Sequence, residues 1–283
     1  MSRVELNGRV ALVTGANSGI GRVTARELAL QGYQVFLACR SAARTQPLRD
    51  EIAHLSGGTA KAEFLQLDLA DLGSVRRCAE AFLQRGLGLH LLVGNAGLAG
   101  QRGRTASGFE LAFGTCHVGH FLLTQLLLDR LKASAPARIV MVSSKAHRHA
   151  RGIDFTSVRQ STASRTGLKE YSVAKLANLL FTKELARQLA DSGVTTYAVH
   201  PGIVATDVWR AMPGPLAWLL KRFMKNEAEG AATTLYCATA ASLATQSGLY
   251  YVDCAEAEAS PLACNPQLAS RLWSQSQAWV KAS

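Results

Sequence analysis

Arg9-Val10-Ala11-Leu12-Val13-Thr14-Gly15-Ala16-Asn17-Ser18-Gly19-Ile20-Gly21 is the stretch that decides the fold. An apolar strand, Arg9–Val13, runs into a glycine-rich turn, and a helical pattern, Val23–Gln31, follows. Glycines allow a tight turn and let backbone approach a pyrophosphate closely. The helix behind them offers free N–H groups and its positive dipole end to phosphate. The spacing is G-x3-G-x-G, not the G-x-G-x-x-G of many dinucleotide binders, so the flanking strand and helix carry much of the weight. Gly15, Asn17, Ser18, Gly19, Ile20 and Gly21 are the candidate phosphate cradle.

Outward from this turn the alternation repeats. Gln34–Ala38, Ala62–Leu67, Leu89–Val93, Ala137–Val142, Thr195–Val199 and Leu249–Val252 also read as strands. Each is nearly all apolar, as strands covered on both faces of a parallel sheet must be. Helical patterns at Phe109–Leu131 and Tyr171–Asp191, the latter stopped by Gly193, are long enough for crossovers. The expectation is one α/β domain over residues 1–283: a doubly wound, Rossmann-type, seven-stranded parallel sheet with helices on both faces. Its ligand then lies beyond the carboxyl ends of the strands, at the switch in strand order.

Composition agrees. The 283 residues are 48% hydrophobic and 18% charged, enough apolar mass for a large core and unlike a disordered chain. No apolar run is expected to approach the roughly 18 residues of a membrane span. The N-terminus shows no apolar signal segment, and with the first strand beginning at about Arg9 no membrane anchor is expected before it. Six scattered cysteines without a C-x-x-C pair read as reduced thiols of a cytoplasmic protein. The net charge of +11 favours anionic partners. No basic stripe interleaved with aromatics appears, so no nucleic-acid role is expected. The pair His147 and His149 in a basic, flexible-looking insert does not suffice for a metal site.

The end of the second strand selects the dinucleotide. An acid there would bond a ribose 2′-hydroxyl and repel a 2′-phosphate. The chain has Ala38-Cys39-Arg40-Ser41 instead. Arg40 offers a bidentate fork for phosphate, and Arg22 adds a second cation. NADP(H) rather than NAD(H) is expected.

Tyr171-Ser172-Val173-Ala174-Lys175 places a phenol and an ammonium four apart, on one helix face. A free tyrosine titrates near pH ~10, and a nearby ammonium favours the phenolate, so such a pair suits proton exchange with a carbonyl oxygen. Val142-Ser143-Ser144 closes a strand on the ligand side, where a hydroxyl can hold that oxygen.

Together with Asn95-Ala96-Gly97 and His200-Pro201-Gly202, these motifs resemble the short-chain dehydrogenase/reductase family over nearly the whole chain. Leu37-Ala38-Cys39-Arg40, Gly119-His120-Phe121-Leu122-Leu123-Thr124, Lys175-Leu176-Ala177-Asn178, Leu235-Tyr236-Cys237-Ala238 and Arg271-Leu272-Trp273 resemble its retinol dehydrogenase branch. The resemblance implies that Tyr171 is the general acid/base, that Lys175 assists it and binds the nicotinamide ribose, and that Ser144 positions the substrate oxygen. Asp68 and Leu69 would lie by the adenine, and Asn95, Ala96 and Gly97 by the adenosine ribose. Pro201, Gly202, Val204 and Thr206 would surround the nicotinamide. The implied reaction is hydride transfer between nicotinamide and a carbonyl or alcohol carbon. Ser144 and Tyr171 stand 27 positions apart, and the branch it resembles also carries an extended segment there.

Two departures stand out. Gly94 replaces the first Asn of the family's Asn-Asn-Ala-Gly, which is expected to perturb sheet-edge hydrogen bonding more than chemistry. Cys116 stands where relatives carry an Asn that kinks a helix and holds a water linking the lysine to bulk solvent. Cysteine is a weak donor and acceptor. Either the proton relay is impaired and turnover slow, or another group such as His117 holds the water, or Cys116 is a buried apolar filler.

A substrate lid is expected over about 205–228. Trp209, Met212, Leu216, Trp218, Leu219, Leu220, Phe223 and Met224 suit a bulky lipophilic substrate. Arg210, Lys221, Arg222 and Lys225 beside them suit peripheral contact with an anionic bilayer through 208–225. The function expected is an NADP(H)-dependent oxidoreductase of a lipophilic, retinal-like aldehyde, ketone or alcohol, in a chain that could form a homo-oligomer. Alternatives are a ketoreductase of steroid, polyketide or secondary-metabolite carbonyls, and an NADP(H)-binding regulatory protein that lost turnover through Cys116.

Overall fold

The computed structural model describes residues 7–202 and 226–282. Val204, Thr206, the proposed membrane-contact segment 208–225 and most of the expected lid lie outside the described residues.

Eight strands form one sheet: β1 (Val10–Thr14), β2 (Gln34–Cys39), β3 (Ala62–Gln66), β4 (Leu91–Gly94), β5 (Ala137–Val142), β6 (Val194–His200), β7 (Leu249–Val252) and β8 (Ala255–Glu256). Their order is β3-β2-β1-β4-β5-β6-β7-β8. The first seven are parallel, as expected. The eighth, two residues long, folds back antiparallel on β7, too short to leave a signature in the sequence. The order reverses between β1 and β4, so the ligand crevice opens at their carboxyl ends.

Residues of the seven parallel strands alternate between two cores. Val10 and Leu12 face one side with α3 (Leu72–Leu83), α5 (Gly119–Ala133), α6 (Leu168–Gln188) and α8 (Pro266–Lys281). Ala11 and Val13 face the other with α1 (Gly19–Leu30), α2 (Ala42–Leu55) and α7 (Glu227–Thr239). Burial on both faces explains the unbroken apolar strands.

The helical pattern at Phe109–Leu131 is not one α-helix. A single turn, α4 (Leu111–Phe113), leads into a π turn, Gly114–Val118, and then α5. Read as one helical run, Leu111–Ala133 has the length and mean hydropathy (1.4) of a membrane span, which corrects the sequence expectation. Yet 72% of its apolar window is buried, as in the core helix of a folded domain.

The insert after β5 is ordered, not flexible. Ser144 caps a 3₁₀ turn over Lys145–His149. His147 is fully buried, its Nδ1 2.7 Å from Ser144 O and its Nε2 accepting from Ser260 N. Buried Glu110 takes hydrogen bonds from Thr162 Oγ1 and Phe113 N, and Glu170 from Ser164 N and Oγ. His149, by contrast, is exposed, and no cluster of metal-binding side chains occurs among the described residues.

Candidate active site

Cys39 ends β2 and Thr14 ends β1, where the chain turns through Gly15 with φ of 65°. Any side chain at Gly21 would drive into Gly15 O and Asn95 Nδ2, so this helical position admits glycine alone. Asn95 holds the turn: its Nδ2 donates to Thr14 O at 2.9 Å and Gly15 O at 3.4 Å, and its own N–H bonds Thr14 Oγ1. Ser18, the N-cap of α1, makes no side-chain cap bond. The N-terminal amides of α1 therefore face the crevice without that partner. A close-packed glycine cradle under an uncapped helix start fits a dinucleotide pyrophosphate.

At the β2 end, Arg40 is exposed and has no acidic partner among the described residues. Arg44, in the first turn of α2, is a second cation there that the sequence pattern does not mark; its field reaches Cys39. Arg22 is already matched. It donates to Glu51 at 2.7 and 3.1 Å, and the same carboxylate bonds Arg26. These bonds, against the desolvation of its site, hold the Glu51 carboxyl below its usual range. Asp68 Oδ1 accepts from Ala70 N, and buried Leu69 packs so closely on Gly119 that a Cβ there would meet Leu69 O.

Ser144 lies just past β5, and α6, which carries Tyr171 and Lys175, is bonded to the end of that strand. Ser143 Oγ ties the strand end to the helix by donating to Lys175 O at 2.8 Å. The Lys175 side chain is 3% exposed; its Nζ donates to Val142 O at 2.8 Å and lies 5.5 Å from the centre of the Tyr171 ring. Asn178 Nδ2 shares that carbonyl at 3.2 Å. Ser144 Oγ accepts from Ala146 N at 3.2 Å. Pro201 is buried, and Gly202 turns with φ of 88° beyond β6.

Cys116 sits in the π turn, fully buried, with Sγ 3.9 Å from Leu98 O. The kink survives the replacement of Asn. A Cβ built on Gly97 would lie 3.3 Å from both Cys116 Sγ and Lys175 Nζ, so thiol and ammonium flank the same glycine. His117 packs away from Lys175 into an aromatic cluster, and its Nδ1 has no partner among the described residues. Its ring packs on Phe113, Phe121 and Phe181, and Nε2 bonds Ser276 Oγ of α8 at 2.9 Å. His120 is the histidine that shares the field of Lys175. Gly94 is also corrected: β4 is flanked by β1 and β5, so the residue is inside the sheet, not at an edge. Its missing side chain lets Met141 and His120 close over it.

Three comparisons bear on this geometry. The family model for short chain dehydrogenases matches residues 9–214. Retinol dehydrogenase 12 of Homo sapiens is 45% identical over 278 residues, covering 97% of this chain and 87% of that protein. Dehydrogenase/reductase SDR family member 13 of Bos taurus is 46% identical, covering 96% of this chain and 73% of that one. Among solved structures, an uncharacterised Mycobacterium paratuberculosis protein superposes with a TM-score of 0.78 at 34% identity, over 99% of this chain and 96% of its own. A Beutenbergia cavernae chain described as an NAD(P)-dependent gluconate 5-dehydrogenase, with NADP bound, gives 0.70 at 25% identity, over 88% of this chain and 96% of its own.

Proposed function

The chain belongs to the short-chain dehydrogenase/reductase family, on its retinol dehydrogenase branch, and from that premise we propose an NADP(H)-dependent oxidoreductase of lipophilic, retinal-like aldehydes, ketones or alcohols. The observation that carries this reading is the buried Lys175 beside the Tyr171 ring, its Nζ bonded to Val142 O at the end of β5, two residues before Ser144. The nicotinamide, when bound, supplies or accepts the hydride. Gly15, Asn17, Ser18, Gly19, Ile20 and Gly21 would hold its pyrophosphate, with Asp68, Leu69, Asn95, Ala96 and Gly97 on the adenosine side and Pro201, Gly202, Val204 and Thr206 on the nicotinamide side.

The protein groups then divide the work. Ser144 holds the carbonyl oxygen by its hydroxyl. Tyr171 gives that oxygen a proton in reduction and takes one in oxidation. Lys175 stabilises the charge left on the phenol oxygen and binds the nicotinamide ribose. Arg40 takes the 2′-phosphate, with Arg44 close behind. Arg22 contributes less, because Glu51 already neutralises it. Cys116 slows replacement of the proton, so Cys116→Asn raises kcat.

NADPH consumption by the purified chain against retinal, medium-chain aldehydes and steroid ketones tests this directly. Lipophilic carbonyls should be reduced with NADPH preferred over NADH. Tyr171→Phe should lower kcat by roughly 10²–10⁴-fold, and Arg40→Glu should shift preference toward NADH. Equal use of the two dinucleotides sinks the cofactor assignment; full turnover by the phenylalanine variant sinks the mechanism.

A single domain with its lid over 205–228 also accounts for where the substrate meets the bilayer. Trp209 and Trp218 beside Lys221, Arg222 and Lys225 support peripheral membrane contact through 208–225. Co-sedimentation with anionic liposomes should fall when those three cations become Glu; unchanged binding would place the contact elsewhere. Homo-oligomerisation, common in such enzymes, is measured in the same preparations.

A further inference from the structure

The His120 imidazole, 2% exposed, joins two parts of the site that the sequence keeps far apart. Nδ1 lies 3.0 Å from Cys116 O, and Nε2 lies 2.8 Å from Thr14 Oγ1. A carbonyl only accepts, so Nδ1 carries the hydrogen and Nε2 accepts from the Thr14 hydroxyl. Burial first, then the field of Lys175, hold the ring neutral by lowering its pKa to about 4, against the opposing bond to Cys116. Thr14 Oγ1 in turn accepts the amide N–H groups of Asn95 and Ala96, each at 3.0 Å. With both lone pairs taken, its single hydrogen goes to His120 at 2.8 Å rather than to Val93 O at 3.4 Å. One neutral ring thus pins the β1–β4 junction under the glycine cradle by one nitrogen. By the other it pins the π turn that sets Cys116 Sγ against Gly97 and Lys175.

We propose that His120 is a positioning residue of two separable effects: through Nε2 it orders the dinucleotide turn, and through Nδ1 it orders the Cys116–Lys175 side of the reacting centre. Buried and bonded to Thr14 Oγ1 and Cys116 O, it acts through those two groups. The inference rests on the dinucleotide-binding part of the proposed function.

Two amide substitutions separate the effects. A glutamine amide reaches the place of Nε2, and an asparagine amide the place of Nδ1. His120→Gln keeps the Thr14 bond and frees Cys116 O. It should bind NADPH within about twofold of the native chain, by nucleotide fluorescence, while kcat falls about tenfold at unchanged KM. His120→Asn keeps the Cys116 bond and releases Thr14. It should weaken NADPH binding about tenfold and leave kcat at saturating dinucleotide nearly native.

Thr14→Val, which also leaves the Asn95 and Ala96 amides without their acceptor, should weaken binding at least as much as the asparagine variant, and adding His120→Asn to it should weaken binding no further, since coupled partners are not additive. Melting temperatures establish that each variant is folded. Equal effects of the glutamine and asparagine variants on affinity, or additive losses in the double variant, overturn the proposal and reduce His120 to a spacer. A native chain that binds neither NADPH nor NADH removes the proposed function itself and this inference with it.

Discussion

His117 stands one residue from Cys116 but belongs to a different neighbourhood. Burial, helped by nearby His120, pushes its pKa down to about 3, and burial pushes that of His120 to about 4. In the unfolded chain both take up a proton near pH 6.5. Below that pH the unfolded state binds more protons, so stability is full above pH 6.5 and falls as the medium becomes more acid. The loss is about 1.4 kcal/mol per pH unit for each titrating histidine. Glu110 works in the opposite sense, because burial raises its carboxyl and proton uptake there favours the folded state. His117→Phe should therefore flatten the decline of melting temperature between pH 6.5 and 5 relative to the native chain; parallel curves would mean that His117 is not held neutral. At this scale the sequence was legible where chemistry is local. Tyr171 and Lys175 announce themselves by a one-turn spacing. His120 did not, since its partner Thr14 lies 106 positions away.

Elements divide in the same way. Strands buried on both faces show as apolar runs, and the seven parallel strands were readable to within two residues at each end. The π turn was not: hydropathy runs unbroken through Phe109–Leu131, and only three-dimensional packing reveals the kink. The insert after Ser144 looked loose because its anchors, Glu110 and Ser260, are remote in sequence. Helix α8 is the clearest case of an element whose worth is tertiary. Trp273 stacks on Phe181 at 5.9 Å and meets Phe121 edge-on at 5.2 Å, while Trp279 packs on Phe109 and Phe113. Trp273→Ala should cost about 3–5 kcal/mol, roughly 6–20 °C of melting temperature, with amide exchange in Pro266–Lys281 accelerating first. A loss under about 1 kcal/mol would mean that α8 is held mainly by its other contacts.

Over the whole molecule, the six cysteines form a graded series. Cys264 is exposed, Cys254 half-buried, and Cys39, Cys78, Cys116 and Cys237 buried, all with free thiols. Burial pushes Cys78 and Cys237 up to about 12 and raises Cys39, which leaves them with little of the nucleophilic thiolate. A maleimide dye should consequently attach at Cys264 within seconds to minutes, with slower uptake elsewhere; rapid incorporation of four or more dyes into the folded chain would contradict the burial pattern. Cys116 gives the series a second use. Its sulfur lies under Gly97, so alkylation there times the breathing of the crevice roof, and saturating dinucleotide should slow that clock while leaving Cys264 untouched.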